Sequence, residues 1–269
     1  MGNLITTIAG FALASTAAIF SMLFLETLIG LGLVIASACV CNNYIDRYTD
    51  QKMKRTQSRP LVKGLVSNRN ALTFAVITGL SGLAILAYFA NPLAAITALI
   101  GFLVYVGFYS LLKYQTTYAT LVGSISGAIP PVVGYVAVSG RLDLAAWLLF
   151  AILVLWQMPH FYSIAIYLFD DYSAASIPVL PITRGIKTAK WHIFFYIIAF
   201  LLCVPLLTIY GYTGYAYLVV ALASGTAWLW LGYQGFKAQD DAKWARSMFV
   251  VSLVTIIAIS VVITISSRI

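Results

Sequence analysis

Three oxygen-bearing side chains with helical spacing stand in the first half of the chain. Asn42, Asp46 and Asp50 are each four residues apart, so on a helix they share one face. Two carboxylates and a carboxamide form a hard oxygen site that suits Mg²⁺, an ion that typically bridges one or two carboxylates to substrate phosphates. The spacing therefore predicts a site for a metal ion and a phosphorylated ligand.

A group of cations follows directly and would supply the positive charge that a diphosphate needs. It comprises Lys52, Lys54, Arg55, Arg59 and Lys63. Arginine is the better bidentate ligand of phosphate oxygens. A solvated loop that sets membrane topology is an equally good interpretation of these cations alone. The aspartates favour the chemical site, because acids at an inner membrane border serve no need of topology.

A second group of candidate residues lies in the second half of the chain. It contains His160, Asp170, Asp171 and Tyr172. Adjacent aspartates cannot share a helix face, so we expect one to ligate directly and the other to support the loop. His160 follows Pro159 within an apolar run. For this histidine a hydrogen-bonded interior residue is slightly favoured over a ligand or a base.

The elements that must position these residues are membrane helices. Of the 269 residues 62% are hydrophobic and 9% charged, and the mean hydropathy is +0.95. Soluble domains have about 45–50% apolar and about 25% charged residues. The apolar excess must face lipid, which excludes a soluble domain, a disordered chain and a nucleic-acid-binding protein as leading interpretations.

The apolar runs predict an all-α, polytopic membrane protein with nine transmembrane helices, because about 20 apolar residues cross a bilayer core. The run Leu4–Cys41 is long enough for two crossings, with a turn near residues 21–26. A barrel is excluded because its strands are about 10 residues with alternating polarity. The other runs are Ala71–Ala90, Leu93–Leu112, Thr117–Ser139, Leu144–Leu168, Trp191–Tyr210, Tyr215–Gly235 and Ser247–Ser266.

The two acidic clusters occupy equivalent places, each at the end of the second helix of a four-helix set. We therefore predict one domain with two quasi-repeats, at about 1–114 and 115–236, and a ninth helix at about 247–266. A site at a repeat interface is a familiar arrangement in membrane proteins. A third acidic pair, Asp240 and Asp241, is interpreted as a plain loop pair.

The basic residues predict the orientation in the membrane. Of sixteen Lys and Arg, all but Arg141 and Arg268 fall on the side of the longest loops. By the positive-inside rule these loops, the N-terminus and the candidate site are cytoplasmic. The sequence shows neither a cleavable signal peptide nor a transit peptide, which favours a bacterial inner (cytoplasmic) membrane.

These motifs resemble those of the intramembrane aromatic (UbiA-type) prenyltransferases. The first aspartate motif is similar to Asn42-x3-Asp46-x3-Asp50, with a tail typical of the haem O synthase branch in Met53-x-Arg55-Thr56-x2-Arg59-Pro60-Leu61. The second motif of that branch resembles Pro159-His160-Phe161 with Asp170-Asp171-Tyr172-x2-Ala175-x2-Pro178-x-Leu180-Pro181, and its basic element resembles Tyr109-x3-Lys113. Two residues depart from the branch's pattern: Ser176 stands for a usual glycine and Tyr114 for a frequent second basic residue.

The resemblance implies transfer of a farnesyl group from farnesyl diphosphate to a vinyl group of protohaem IX (haem b). Water is added, and the products are haem O and diphosphate. Haem is thus a substrate, Mg²⁺ the expected cofactor, and the lipid bilayer and a downstream haem A synthase are expected partners.

The resemblance also implies roles for individual residues. The implied metal ligands are Asp46, Asp50, Asp170 and Asp171. Diphosphate binding falls to Asn42, Arg55, Arg59 and Lys113, and contacts to the acceptor fall to His160 and Tyr172. The expected catalytic set is Asp46, Asp50, Asp171 and Lys113.

Other functions remain open on the sequence alone. A prenyltransferase with a different aromatic acceptor, such as a quinone or chlorin precursor, would use the same metal chemistry. A secondary transporter is compatible with many helices, but its ionisable groups usually lie near the membrane midplane, whereas here they fall in loops and at helix ends. A non-catalytic scaffold would leave the aspartates unexplained. Neither the role of His160 nor the residue that directs water is fixed.

Overall fold

The computed structural model describes residues 2–15 and 21–266. Within these residues the chain is helical and contains no β-strand, which confirms the all-α prediction. Eight helical segments of this part are long and apolar enough to cross a membrane, and the shorter apolar helix Gly2–Ala14 precedes them. Arg268, one of the two cations predicted on the far side, lies outside the described residues.

Fourteen α-helices follow one another along the described chain. Two π-helical segments, Leu86–Ala90 and Val104–Tyr109, continue the third and fourth helices, and 3₁₀ turns lie at Asp50–Lys52 and Gly235–Lys237. The α-helices are α1 (Gly2–Ala14), α2 (Met22–Asp46), α3 (Asn68–Ile85), α4 (Pro92–Leu103), α5 (Ser110–Leu112), α6 (Ala119–Gly127), α7 (Ile129–Ser139), α8 (Leu144–Tyr167), α9 (Phe169–Ala174), α10 (Leu180–Arg184), α11 (Ile186–Cys203), α12 (Leu206–Ile209), α13 (Tyr215–Gln234) and α14 (Asp241–Ser266).

The turn predicted near residues 21–26 is wrong, because these residues begin a helix. Ser21 is the N-cap of α2, and its side chain accepts a hydrogen bond from the backbone N–H of Phe24 at 3.2 Å. Glu26 consequently lies in the second turn of α2.

The centre of the bundle is α8, which packs against α6, α7, α11 and α14. Its buried residues include Ile152, Leu153, Trp156 and Met158. Large apolar side chains on α3, α4 and α13 are exposed instead, among them Phe74 and Trp230, as expected for surfaces in contact with lipid tails. The membrane fold is therefore built around α8, and the division into two quasi-repeats stays a prediction.

Glycines allow α1 and α7 to pack with their backbones in contact. A Cβ atom on Gly10 would lie 1.9 Å from the carbonyl oxygen of Pro131, and one on Gly134 would lie 2.2 Å from that of Thr7. Small residues at helix interfaces permit this close approach in membranes, where dispersion contacts drive helix association. The contact holds α1 against the bundle.

We predict that Gly134→Ala destabilises the protein, because the added methyl group meets rigid backbone. Overpacking of this kind costs about 1–3 kcal/mol. Thermal unfolding in detergent micelles measures the effect. Gly32→Ala on α2 is the matched control, since its Cβ would meet no atom within 4 Å. Equal melting temperatures for the two variants would contradict the close α1–α7 contact.

Candidate active site

A polar cavity lies at the end of the bundle where α2 and α5 end, and an apolar cavity adjoins it. The polar cavity has a volume of about 280 Å³, and its lining includes Asn42, Asp46, Asp50, Arg55, Arg59 and Lys113. The apolar cavity, of about 590 Å³, is lined by residues that include Leu31, Val34, Phe102, Trp156, His160 and Phe249. Tyr105 and Phe161 line both, so they mark the junction between the polar and the apolar cavity.

Asp46 is the centre of the polar cavity. Its carboxylate accepts a hydrogen bond from Asn42 Nδ2 at 2.9 Å, lies 2.6 Å from Lys113 Nζ, and accepts a hydrogen bond from the Tyr114 hydroxyl. Asn42 Oδ1 in turn lies 2.8 Å from Lys113 Nζ and 2.9 Å from Ser110 Oγ. This network joins the C-terminal end of α2 to the segment around α5.

A π-helical segment precedes α5 and contributes two residues to the site. Val104–Tyr109 inserts the wider turn between α4 and α5, a local irregularity that is frequent at functional sites. Tyr105 and Tyr109, both in this segment, line the polar cavity and stack on each other with ring centroids 5.3 Å apart. Lys113 follows one helical turn after Tyr109, and its backbone N–H donates to the Tyr109 carbonyl at 3.0 Å.

Burial makes the ionisation of this network interdependent. Desolvation lowers the pKa of Lys113, while the adjacent Asp46 carboxylate opposes that shift. Burial and the hydrogen bond to Asp46 both raise the pKa of Tyr114, which keeps the phenol protonated as a donor. The charge on Lys113 therefore depends on Asp46, because a buried ammonium needs a nearby carboxylate to stay charged.

Asp50 is buried at 4% exposure and pairs with Arg59 at 2.6 Å. The loop that carries both is fixed internally, because Thr56 Oγ1 donates to the Asp50 carbonyl at 3.1 Å. Met53 of the same loop packs with Ala175 and Ile177, which follow α9. The loops that carry the two sequence motifs thus meet over the polar cavity.

The acids of the second motif do not reach the cavity. Asp170 is exposed and Asp171 half-buried in the first turn of α9, and neither belongs to the lining of either cavity. Tyr172, one residue further, does line the polar cavity, as does Arg55. Across residues 2–15 and 21–266, no three His, Cys, Asp or Glu side chains come together as a metal site. The structure thus brings together two of the four predicted carboxylates.

His160 does not line the polar cavity; it lies in the wall of the apolar one. It is 8% exposed, stacks on Trp156 with ring centroids 4.7 Å apart, and its Nδ1 lies 2.7 Å from Ser252 Oγ. It is thus a hydrogen-bonded interior histidine, and its contact with an acceptor stays a prediction.

The two departures from the family pattern both take part in local structure. Tyr114, where a basic residue is frequent, supplies a hydrogen bond to Asp46 instead of a charge. Ser176, where glycine is usual, has a φ of +54°, and it is the one non-glycine residue of the described chain with positive φ. That left-handed conformation favours glycine, so the loop keeps the geometry for which glycine is suited.

The interpretation of Asp240 and Asp241 as a plain loop pair is wrong for Asp241. Its carboxylate pairs with Lys190 Nζ at 2.5 Å, and Lys190 also donates to the Gly235 carbonyl at 2.7 Å. Lys190 is largely buried, and a buried ammonium requires such partners. Asp241 thus ties α14 to α11.

We predict that Lys113→Met destabilises the protein strongly, because it leaves the Asp46 carboxylate buried without its cation. Breaking a buried pair in this way costs about 3–5 kcal/mol, and the melting temperature in micelles should fall. Lys243→Met is the control, since Lys243 pairs with Asp240 on the surface with its side chain 88% exposed. A Lys113→Met protein that melts with the control would contradict the structural role of the buried pair.

Comparison with known proteins places this arrangement in a family. Residues 3–254 match the model of the UbiA prenyltransferase family. Protohaem IX farnesyltransferase 2 of Pseudomonas fluorescens is 54% identical over 268 residues, which are 99% of this chain and 91% of that protein.

Solved structures show the same fold. The apo structure of a UbiA homologue from Aeropyrum pernix matches with a TM-score of 0.79 at 20% identity, covering 98% of this chain and 96% of that one. A UbiA homologue from Archaeoglobus fulgidus, bound to GPP and Mg²⁺, matches with a TM-score of 0.68 at 15% identity, covering 98% and 95%. The chain belongs to the UbiA prenyltransferase family.

Proposed function

We propose that this chain transfers a farnesyl group from farnesyl diphosphate to a vinyl group of protohaem IX, with addition of water. The products are haem O and diphosphate. The name of the relative that is 54% identical over nearly its whole length supports this choice of donor and acceptor. A different aromatic acceptor, such as a quinone or chlorin precursor, is the alternative, and no observation favours it.

The observation that carries the proposal is the pair of adjoining cavities. A prenyl diphosphate has an anionic diphosphate head and a long apolar chain, and the reacting carbon joins the two. The polar cavity offers Arg55, Arg59 and Lys113 to the head, and the apolar cavity offers a volume of about 590 Å³ to apolar substrate. Mostly apolar pockets with a few fixed polar groups are typical of such ligands.

The cationic side chains lower the barrier by stabilising charge that develops on the leaving diphosphate. Arg59 carries bidentate donors at the rim, and Lys113 is held inside the cavity by Asp46 and Asn42. Asn42 both orients Asp46 and accepts from Lys113. Preorganised charges of this kind are worth more in a water-excluded site than in bulk water.

Asp46 and Asp50 fit the role of Mg²⁺ ligands. Both are buried carboxylates that line one cavity, and one or two carboxylates with phosphate oxygens and waters complete the usual coordination of this ion. The Archaeoglobus homologue that binds GPP and Mg²⁺ supports a metal-dependent reaction. When bound, the ion would neutralise charge on the leaving diphosphate. A metal role for Asp170 and Asp171 stays a prediction.

Aromatic rings surround the place where the allylic cation would form. Tyr105 and Phe161 lie at the junction of the cavities, and Tyr109 and Tyr172 line the polar one. Aromatic faces attract cations and present no nucleophile. These rings would shelter the cation from stray water while the acceptor carbon attacks.

The proposal includes a place in the cell. The polar cavity lies at the end of α2 that continues into the longest cation-rich loop, and the positive-inside rule assigns such loops to the cytoplasm. We therefore place the site at the cytoplasmic face of a bacterial inner membrane, with the N-terminus on the same side. A downstream haem A synthase is the expected consumer of the product.

An acceptor competition tests the proposed reaction. Purified protein in micelles receives Mg²⁺ and labelled farnesyl diphosphate with protohaem IX, 4-hydroxybenzoate or both, and products are identified by mass. We predict transfer to protohaem alone, because the family motifs of the second half are those of the haem branch. Transfer to 4-hydroxybenzoate alone would overturn the acceptor assignment and leave the prenyltransferase assignment intact.

We predict that Asp46→Asn abolishes transfer while the protein still inserts into the membrane. The substitution removes a metal ligand and the partner of Lys113, and several kcal/mol of charge stabilisation correspond to a rate loss on the order of 100-fold or more. Initial rates are measured at saturating Mg²⁺, and again after chelation by EDTA, which should silence the unsubstituted protein. Asp240→Asn is the exposed control. Full activity of Asp46→Asn would refute the metal role.

A further inference from the structure

Two polar side chains of α8 line the largely apolar cavity and are not used in ionising the diphosphate. Gln157 and His160 are three residues apart, so they share a helix face, and both line this cavity. Gln157 is 4% exposed, and its Oε1 atom has no hydrogen-bond partner in the described chain. A buried amide oxygen without a partner is costly, so this position calls for a bound donor.

The neighbouring helix leaves room for the Gln157 amide. A Cβ atom on Gly127 would lie 2.3 Å from Gln157 Oε1, so the amide occupies the space that any side chain at this position would fill. Gly127 itself lines the apolar cavity. The absence of a side chain on Gly127 therefore gives the amide oxygen its place between α6 and α8, beside the cavity.

A hydrogen-bond chain through α14 favours one tautomer of His160. Ser252 Oγ lies 2.6 Å from the Phe249 carbonyl and 2.7 Å from His160 Nδ1. Both contacts are hydrogen bonds when Nδ1–H donates to the hydroxyl and the hydroxyl donates to the carbonyl. We assign His160 this tautomer, which leaves the lone pair of Nε2 free. Trp156 stacks on the imidazole and donates through Nε1 to the Ser252 carbonyl at 2.8 Å, which holds the ring in place.

His160 stands beside the place where the new bond must form. Phe161, the next residue, lines both cavities, and its ring centroid lies 5.6 Å from that of His160. The reacting carbon of the farnesyl group is bonded to the diphosphate, so it must lie where the polar cavity meets the apolar one. The vinyl group that attacks it must lie there too, within the surroundings of His160.

We propose that Gln157 Oε1 and His160 Nε2 bind the water molecule that adds to the haem side chain, and that His160 takes its proton. This inference rests on the proposed function, because only the haem acceptor requires water. A buried water needs two to four polar partners. Two acceptors on the wall bind both hydrogens of the water, which leaves the lone pairs of its oxygen for the carbon atom.

The step balances without any oxidant or reductant. The farnesyl C–O bond breaks, and its electron pair leaves with the diphosphate. The terminal vinyl carbon of haem forms the new C–C bond with the farnesyl group, which leaves positive charge on the vinyl carbon next to the ring. The water oxygen bonds to that carbon, and one water proton moves to His160 Nε2. The imidazolium later returns this proton to solvent, while the Nδ1–H group keeps its hydrogen bond to Ser252 Oγ throughout.

The inference assigns the two side chains to the second half of the reaction only. If water is not delivered, the cation loses a proton from the adjacent carbon and becomes an alkene. The alkene product carries the farnesyl group but is lighter than haem O by one water molecule. The ratio of the two products therefore reports water capture separately from farnesyl transfer.

The test compares His160→Gln with His192→Gln in the complete protein in micelles. The chain has two histidines, and His192, on α11, lines neither cavity, so it is the matched control. Products from protohaem, farnesyl diphosphate and Mg²⁺ are separated by mass. We expect His160→Gln to transfer farnesyl but to give mainly the alkene, because removing a general base slows its step on the order of 100-fold. His192→Gln should give haem O, as the unsubstituted protein does.

Each other result overturns the inference. An unchanged ratio of haem O to alkene in His160→Gln refutes the role of the base, and an altered Soret band of bound haem with that unchanged ratio makes His160 an iron ligand. Loss of all farnesyl transfer in His160→Gln would mean that His160 acts before the C–C bond forms. If unsubstituted protein forms no farnesylated haem, it is the proposed function that fails.

Variants at two further positions keep the test decisive if His160→Gln does not accumulate in the membrane. Gln157→Leu removes the other acceptor and should raise the alkene share in the same way. Ser252→Ala removes the partner of Nδ1, and Ser252→Thr, which keeps the hydroxyl, should restore the haem O share. A positioning role predicts this rescue, and equal product ratios in Ser252→Ala and the unsubstituted protein contradict it.

Discussion

The buried contact between the Asp46 carboxylate and the Lys113 ammonium is the constraint on which the site depends. Neither charge is stable alone in a desolvated position, so the end of α2 and the segment after the π-helical turn must meet at one place. Asn42 and Tyr114 complete the hydrogen bonding of the carboxylate. The same two charges that hold these helices together are the ones that a metal ion and a diphosphate would engage.

That constraint divides the interior into a charged end and an apolar remainder. Charged side chains line the polar cavity but not its neighbour, whose wall consists of apolar side chains and a few neutral polar groups. In the proposed function an amphiphilic substrate places its diphosphate in the polar cavity and its chain in the apolar one, which brings its reacting carbon to the junction at Tyr105 and Phe161. The position of the reacting carbon thus follows from the separation of the charged cavity from the apolar one. The packing of α8 against α14 determines which neutral polar groups lie beside that carbon.

The sequence predicts some of these features well, for physical reasons. Hydropathy predicts the membrane helices, and helical periodicity predicts that Asn42 and Asp46 share one helix face. Both predictions depend only on residues that are close together in the chain. The start of α2 at Met22 is a local matter too, yet it is missed, since the Ser21 cap lies inside a continuous apolar run.

Contacts that cross the bundle cannot be read from local patterns. The bond between His160 and Ser252 joins residues 92 positions apart, and the hydrogen bond from Tyr114 to Asp46 joins residues 68 positions apart. The motif that carries Asp170 and Asp171 resembles that of the haem branch, yet α9 leaves both outside the cavity lining. Ser176 has the left-handed backbone conformation that favours glycine, and its residue type does not predict that conformation.

The most direct test of the central claim is the mass of the haem in living cells. Bacteria that lack their own activity of this kind are compared with and without this chain, with the Asp46→Asn variant as the inactive protein. The account predicts that haem O appears with the unsubstituted chain and is absent with the variant. Unchanged haem in cells whose membranes contain the folded, unsubstituted protein would contradict it.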